Sequence, residues 1–264
     1  KTGSLKPNES NDLHAHLIAD VRTMITHLGD TSNLILDPDL DSYSLMAITL
    51  LALPQIHDRI QNLAVEFEPI LKNKTVTSED RIKASVFVAM MKESDLGRVT
   101  GDFQTVLNED PNFYGKSPTL ETKLAPIHQK FVASYEELIK VVEEVAQGKT
   151  VESAQFDQLS DKALAASFEY WDSAATEMDQ FLSIRVNTYQ NMKIKALLWS
   201  VLGMLVALSV AWMFLKYVVR DLQAIMGTLN HSSEFVSQAS SESAGLAVKL
   251  SEASTQQAAG LQET

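Results

Sequence analysis

The chain has 264 residues, a net charge of −12 and no cysteine. The acidic balance leaves no basic stripe to neutralise phosphates, which argues against a nucleic-acid partner, and the missing cysteines exclude disulfides and thiolate metal sites. With 7 prolines and 10 glycines there is too little punctuation for many short strands, and apolar residues recur at helical spacing, so the fold class is all-α.

Residue 1 is Lys, and KTGSLKPNES reads as a loop without an apolar signal segment. A processed form or a fragment is expected. Residues 9–28 carry Leu13, Leu17, Val21, Met24, Ile25 and Leu28, the stripe of an amphipathic helix. GDTSNLILDPDLD interrupts it. A longer helix is predicted from Ser42 to Lys72, bent or shortened by Pro54 and Pro69. NKTVT is a turn, and TSED starts the next helix with acidic groups at the positive end of its dipole; it runs to Asn108. EDPNFYGKSP is a loop, with Ser117 as N-cap and Pro118 at the first helical position of the following helix. Leu124, Ile127, Phe131, Tyr135, Leu138, Val142 and Val145 stripe that helix, and Gly148 ends it. A last helix starts near Ser153 and meets no stop signal. Long helices with short loops pack as antiparallel neighbours, so residues 1–195 are expected to form an up-and-down helical bundle.

Several residues in this region invite a ligand role. Asp37, Asp39 and Asp41 have the alternating spacing of the first ligands of a calcium loop, but Ser42 stands where such a loop has Gly and Ile48 where it has Glu. The expectation is a turn whose aspartates cap the helix at Ser42, with no metal. His14 and His16 lie two apart on a helix and point in different directions. Arg22, Arg59, Arg81 and Arg98 suit carboxylate ligands, although a solvated ion-pairing face accounts for each more simply. No residue is assigned to ligand binding, and no cofactor is implied.

Between Lys195 and Lys216 lies ALLWSVLGMLVALSVAWMFL, about twenty uncharged residues, the length a helix needs to cross a hydrocarbon core. Trp199 at one end and Trp212 and Tyr217 at the other suit interfacial anchoring. Gly203, Ala207 and Ala211 form a small-residue face on which a second helix can pack. A transmembrane helix is therefore expected over 196–218. Arg185, Lys193 and Lys195 on one flank balance Lys216 and Arg220 on the other, so flanking charge does not set the orientation.

From Leu222 a heptad continues through Met226, Leu229, Ser233, Val236, Ser240, Ser243, Ala247, Leu250, Ser254, Gln257, Leu261 and Thr264. Ser, Ala, Gln and Thr occupy much of the seam, which describes a marginal coiled coil that small inputs can shift. A disordered Ser/Ala/Gln-rich linker is the alternative.

The end of this coil, Gln256, Gln257, Ala258, Ala259, Gly260, Leu261, Gln262, Glu263 and Thr264, resembles the first methylation helix of bacterial methyl-accepting chemotaxis proteins. That family's pattern is two small residues, two spacers and a Glu/Gln pair; Ala258-Ala259, Gly260-Leu261 and Gln262-Glu263 match it. The resemblance covers about residues 229–264. It implies that Glu263 carries a methyl ester and that Gln256, one heptad earlier, is a second site once deamidated. The flank of Gln256, Ser251-Glu252, departs from the pattern. Changing a carboxylate to a neutral ester or amide reduces repulsion between packed helices.

The resemblance further implies a receptor rather than an enzyme, in a bacterial inner membrane. Residues 1–195 would be periplasmic, and residues 219–264 would begin the cytoplasmic methylation and signalling coil. The implied partners are a second copy in a homodimer, higher receptor arrays, the lipid bilayer, a receptor methyltransferase and methylesterase, and the chemotaxis histidine kinase with its coupling protein. The last two would bind through segments beyond Thr264. Only about forty residues separate Lys216 from the first candidate site, and no Pro follows the membrane helix, so the HAMP relay common in such transducers is expected to be missing. Two other readings stand beside this one. One is the input half of a sensor histidine kinase or cyclic-nucleotide synthase with catalysis beyond Thr264. The other is a membrane-tethered structural coiled coil.

Overall fold

The computed structural model describes residues 6–262, all helix and connecting turns, with no strand among the described residues. Two compact units divide at Asn191/Met192, four residues before the expected sensor boundary at 195. The second unit holds both the membrane-length segment and the heptad region.

Helix α1 spans Pro7–Thr31, with Pro at its start and Glu9 in its first turn. Asn33, in the left-handed region at φ 58°, turns the chain. Helices α2 (Leu40–Met46) and α3 (Leu53–Asn73) join through a π-helical turn, Ala47–Ala52, into one uninterrupted run. The expected break at Pro54 is absent because of that turn. The Leu53 N–H reaches five residues back to the Ile48 carbonyl, and the widened turn carries the proline ring clear of the carbonyl it would otherwise strike. Ala125 does the same toward Leu120, one residue before Pro126. Pro69 is also inside α3, at an exposed position, and the helix continues past it to Asn73.

Helix α4 (Ser78–Ala89) starts as expected, with a capping box: the Thr77 hydroxyl accepts from the Asp80 N–H at 3.2 Å and the Asp80 carboxylate accepts from the Thr77 N–H at 2.9 Å. A second π-helical turn, Met90–Gly97, leads into α5 (Arg98–Glu109). Helix α6 (Ala125–Ala146) ends at Gly148, φ 84°, where the Gly148 and Lys149 N–H groups donate to the Val145 and Glu144 carbonyls, both at 2.9 Å. This is the paired closure that a left-handed glycine allows. Its start differs from expectation. Thr119, not Ser117, directly precedes the first helical turn, Leu120–Leu124, although the Ser117 hydroxyl accepts from the Thr119 N–H at 3.2 Å. Helix α7 runs from Ser153 to Gln262 without interruption.

In the first unit, α3 (Ile56, Ile60, Leu63, Phe67), α5 (Val99, Phe103, Val106), α6 (Phe131, Tyr135, Leu138, Val142) and the first part of α7 (Phe156, Tyr170, Phe181) bury one continuous core. Side-chain pairs give the directions. Phe67 stacks on Phe156 at 5.5 Å while the Trp171 N–H donates to the Thr49 carbonyl at 2.7 Å, so α2–α3 and α7 run antiparallel. Lys130–Glu169 (2.6 Å) and Lys162–Glu137 (2.5 Å) set α6 antiparallel to α7. Helix α1 departs from expectation. Its stripe is largely exposed, Leu17 to 60% and Met24 to 65%, and of its residues only Ile25 is half-buried.

Candidate functional site

The first unit holds two charged clusters that its core does not need for volume. The first lies among α3, the π-helical turn Met90–Gly97 and α6. Arg59 was expected on a solvated face, yet its side chain is 11% exposed and its Nε donates to Asp95 Oδ2 at 2.5 Å; Asp95 is 1% exposed. The Tyr135 hydroxyl donates to the same oxygen at 2.8 Å. Burial raises the Asp95 carboxyl above the usual carboxylate range, opposed by the bonds from Arg59 and Tyr135. Burial and the neighbouring Asp95 charge push the Tyr135 phenol well above its ordinary value. The other three arginines are closer to expectation. Arg22 pairs with Asp58, Arg98 with Asp102 one turn on, and Arg81 donates to the Ala146 carbonyl at the end of α6.

The second cluster gathers where α7 approaches Asn191. Arg185, read from sequence only as a flanking charge, binds Asp37 at 3.0 Å and Asp39 at 2.7 Å, donates to the Ser42 hydroxyl, and lies over the Tyr114 ring at 5.4 Å. Asp37 also accepts from the Asp39 N–H at 3.1 Å. Asp39 stands at the N-cap position of α2, but no side chain caps that helix. The aspartates thus shape the turn, as expected, and receive a guanidinium instead of capping at Ser42. Asp41 is buried, accepts from the Ser42 N–H at 2.6 Å, and has its carboxyl raised by that burial.

One and two turns before Arg185, Gln180 and Glu177 complete the cluster. Glu177 is buried and accepts from the Ser117 hydroxyl and from the Thr119 hydroxyl at 2.7 Å; the Thr119 hydroxyl also lies 2.8 Å from Gln180 Oε1. Asp110 accepts the Ser117 N–H through both oxygens, at 3.0 and 2.9 Å, while the Ser117 hydroxyl accepts from the Thr119 N–H at 3.2 Å. Burial raises the Asp110 carboxyl. The two loops 33–39 and 110–119 are thereby tied to one stretch of α7. Acids, hydroxyls and a guanidinium bonded to one another hold these elements together, although Arg185 Nε is buried without a hydrogen-bond partner. Among the described residues no three His, Asp or Glu side chains converge to hold a metal.

An expected result follows for this clasp. Arg185→Met leaves the Asp37 carboxylate, 2% exposed, without its cation and should cost about 2–3 kcal/mol. Denaturant unfolding of the purified chain measures it. An unchanged midpoint would show the clasp to be dispensable.

Of the two sequence-predicted modification sites, Gln256 lies on α7 and is exposed, and Glu263 lies outside the described residues. The seam residues Leu222, Leu229, Val236 and Leu250 are all more than half exposed. Residues 196–215 fall in the helical stretch that is long and apolar enough to cross a membrane, with an 18-residue window of mean hydropathy 2.1. Comparison with protein-family models, curated proteins and solved structures returns no match.

Proposed function

We propose that this chain is the sensing and transmembrane part of a chemoreceptor-like signal transducer. In this reading residues 1–195 form an extracytoplasmic up-and-down helical bundle. Residues 196–218 cross the bacterial inner membrane, and residues 219–264 begin a cytoplasmic coil adapted by reversible methylation at Glu263 and Gln256. The partners would be a second copy of the chain, a receptor methyltransferase and methylesterase, and a histidine kinase with its coupling protein. The observation that carries the reading is α7. One hydrogen-bonded helix supplies core residues to the first unit (Phe156, Tyr170, Phe181), then a membrane-length apolar segment, then the heptads that reach Gln256. A helix shared in this way gives a displacement in the first unit a direct covalent route to the coil. The Arg185 and Glu177 bonds fix loops 33–39 and 110–119 to that helix, so a change in how those loops pack would act on it. The exposed, weak seam from Leu222 to Gln257 suits a coil completed by a second copy.

Topology and modification test the reading. The chain has no cysteine, so Asn112→Cys and Ser237→Cys each give a single thiol. In intact cells an impermeant thiol reagent should label position 112 and not 237; the reverse pattern would overturn the orientation. Mass spectrometry should find a methyltransferase-dependent methyl ester at Glu263. Glu263→Gln removes one charge per helix and lowers helix–helix repulsion by roughly a few tenths of a kcal/mol per pair, enough to bias a near-balanced two-state coil. The variant should shift baseline kinase output at normal expression. An unmodified Glu263 together with unchanged output would instead favour the input half of a kinase or cyclase.

A further inference from the structure

Within the first unit a cleft of about 600 Å³ opens between α1, the joined α2–α3 run and the start of α5. Its volume lies within the range of small-molecule pockets. The π-helical turn Ala47–Ala52 and Pro54 give it an apolar side. Its polar groups come from Thr23, Thr26 and Asp30 of α1, Gln55 of α3 and Arg98 of α5. Arg22 also lines it but is already paired with Asp58.

Among the described residues of the first unit, Arg98 is the arginine that donates no hydrogen bond. Arg22, Arg59, Arg81 and Arg185 each reach a carboxylate or a carbonyl, whereas Arg98 stands 3.7 Å from Asp102. Its side chain is 40% exposed, so a guest in the cleft can reach the guanidinium. A free planar fork of N–H donors matches a carboxylate with two parallel bonds. The α1 wall has the reverse character. The Thr23 and Thr26 hydroxyls donate their protons to the Ala19 and Arg22 carbonyls, at 2.9 and 3.1 Å, so toward the cleft both oxygens act as acceptors. Both threonines are exposed, as is Asp30, a third acceptor on the same wall. These oxygens need donors from a guest. The Asp30 charge disfavours a second acid group there, which limits the guest to one carboxylate at the Arg98 end.

We infer that this cleft binds a sugar acid, a small molecule with one carboxylate and a row of hydroxyl groups. The carboxylate lies on Arg98, the hydroxyls donate to Thr23, Thr26 and Asp30, and the carbon chain rests against Pro54 and the π-helical turn. Such a guest bridges α1 and α5. The inference rests on the receptor reading only for what binding does next; occupancy itself does not depend on it.

D-Gluconate is the probe, titrated by calorimetry into the full chain in nanodiscs, with empty nanodiscs as the control. Saturable binding of one gluconate per chain is expected, roughly tenfold or more tighter than three relatives of the same chain length. D-Sorbitol lacks the carboxylate, hexanoate lacks the hydroxyls, and 6-aminohexanoate replaces them with an ammonium. Arg98→Gln should bring gluconate down to the level of sorbitol, and Arg98→Lys, which keeps the charge without the fork, should restore part of the difference. Thr23→Val combined with Thr26→Val keeps the shape of the wall and should reduce the preference of gluconate over hexanoate. Absence of saturable gluconate binding, equal binding of sorbitol or hexanoate, tighter binding of 6-aminohexanoate, or a gluconate affinity unchanged in Arg98→Gln would each overturn the inference. Intact binding with no change in the output of the full-length protein would count against the receptor reading and leave the cleft assignment standing.

Discussion

Asp95→Ala should destabilise the first unit by about 3–5 kcal/mol, because it leaves the Arg59 guanidinium buried without a counter-ion. Arg59 has little access to water, and its other close contact is the Met90 sulfur at 3.0 Å, a poor substitute for a carboxylate. For a domain of this size that loss should lower the melting temperature by roughly 10 °C. The Tyr135 hydroxyl loses its acceptor in the same variant, which adds to the cost. Arg59→Met combined with Asp95→Leu removes both charges and should cost far less than Asp95→Ala alone. Thermal unfolding of the three proteins decides the matter. Equal losses in the single and double variants would show that the site matters for its packing and not for its charge pairing.

Acid should weaken the fold through two histidines. Burial lowers the pKa of His57 to about 4, with the Ser167 backbone opposing, and burial alone lowers that of His128 to about 4. His128 stacks on Phe103 at 4.2 Å, and its Nδ1 has no hydrogen-bond partner, so nothing in the fold favours the imidazolium. Between pH 6.5 and about 4 the unfolded chain binds protons that the folded chain refuses. Stability is therefore fully present above pH 6.5 and falls as the pH drops through that window, by about 3 kcal/mol for each histidine. The buried carboxyls Asp41, Asp95 and Asp110 and the half-buried Asp102 have pKa values raised by desolvation and act in the opposite sense, each costing stability when ionised and relieving that cost as it protonates. The comparison that isolates the histidine effect is wild type against His128→Phe, measured by urea unfolding from pH 7 to pH 4. The wild type should lose about 3 kcal/mol more than the variant across that range. Parallel curves would mean that His128 is protonated in the folded state.

The sequence by itself determined the all-α class, the start of α4 at Thr77, the end of α6 at Gly148, the uninterrupted helix from Ser153 and the membrane-length apolar segment. Each rests on residues within a turn or two of one another: a capping box, a left-handed glycine, an absence of stop signals, a run without charge. What only the tertiary structure decided depends on partners far apart in the chain. Arg185 meets Asp37 across 148 residues and Glu177 meets Ser117 across 60, and no local pattern marks either pair. Arg59 looked like its neighbours on a polar face until the π-helical turn holding Asp95 was seen to enclose it. Pro54 reads as a break because a proline in a regular α-helix strikes the preceding turn; the wide turn that removes the clash has no sequence signature beyond the proline itself. The stripe on α1 promised burial, since amphipathicity reports only that a face is apolar. Whether that face finds a partner is settled by the packing of the whole unit, which covers part of it, leaves Leu17 and Met24 exposed, and opens the cleft beside Arg98.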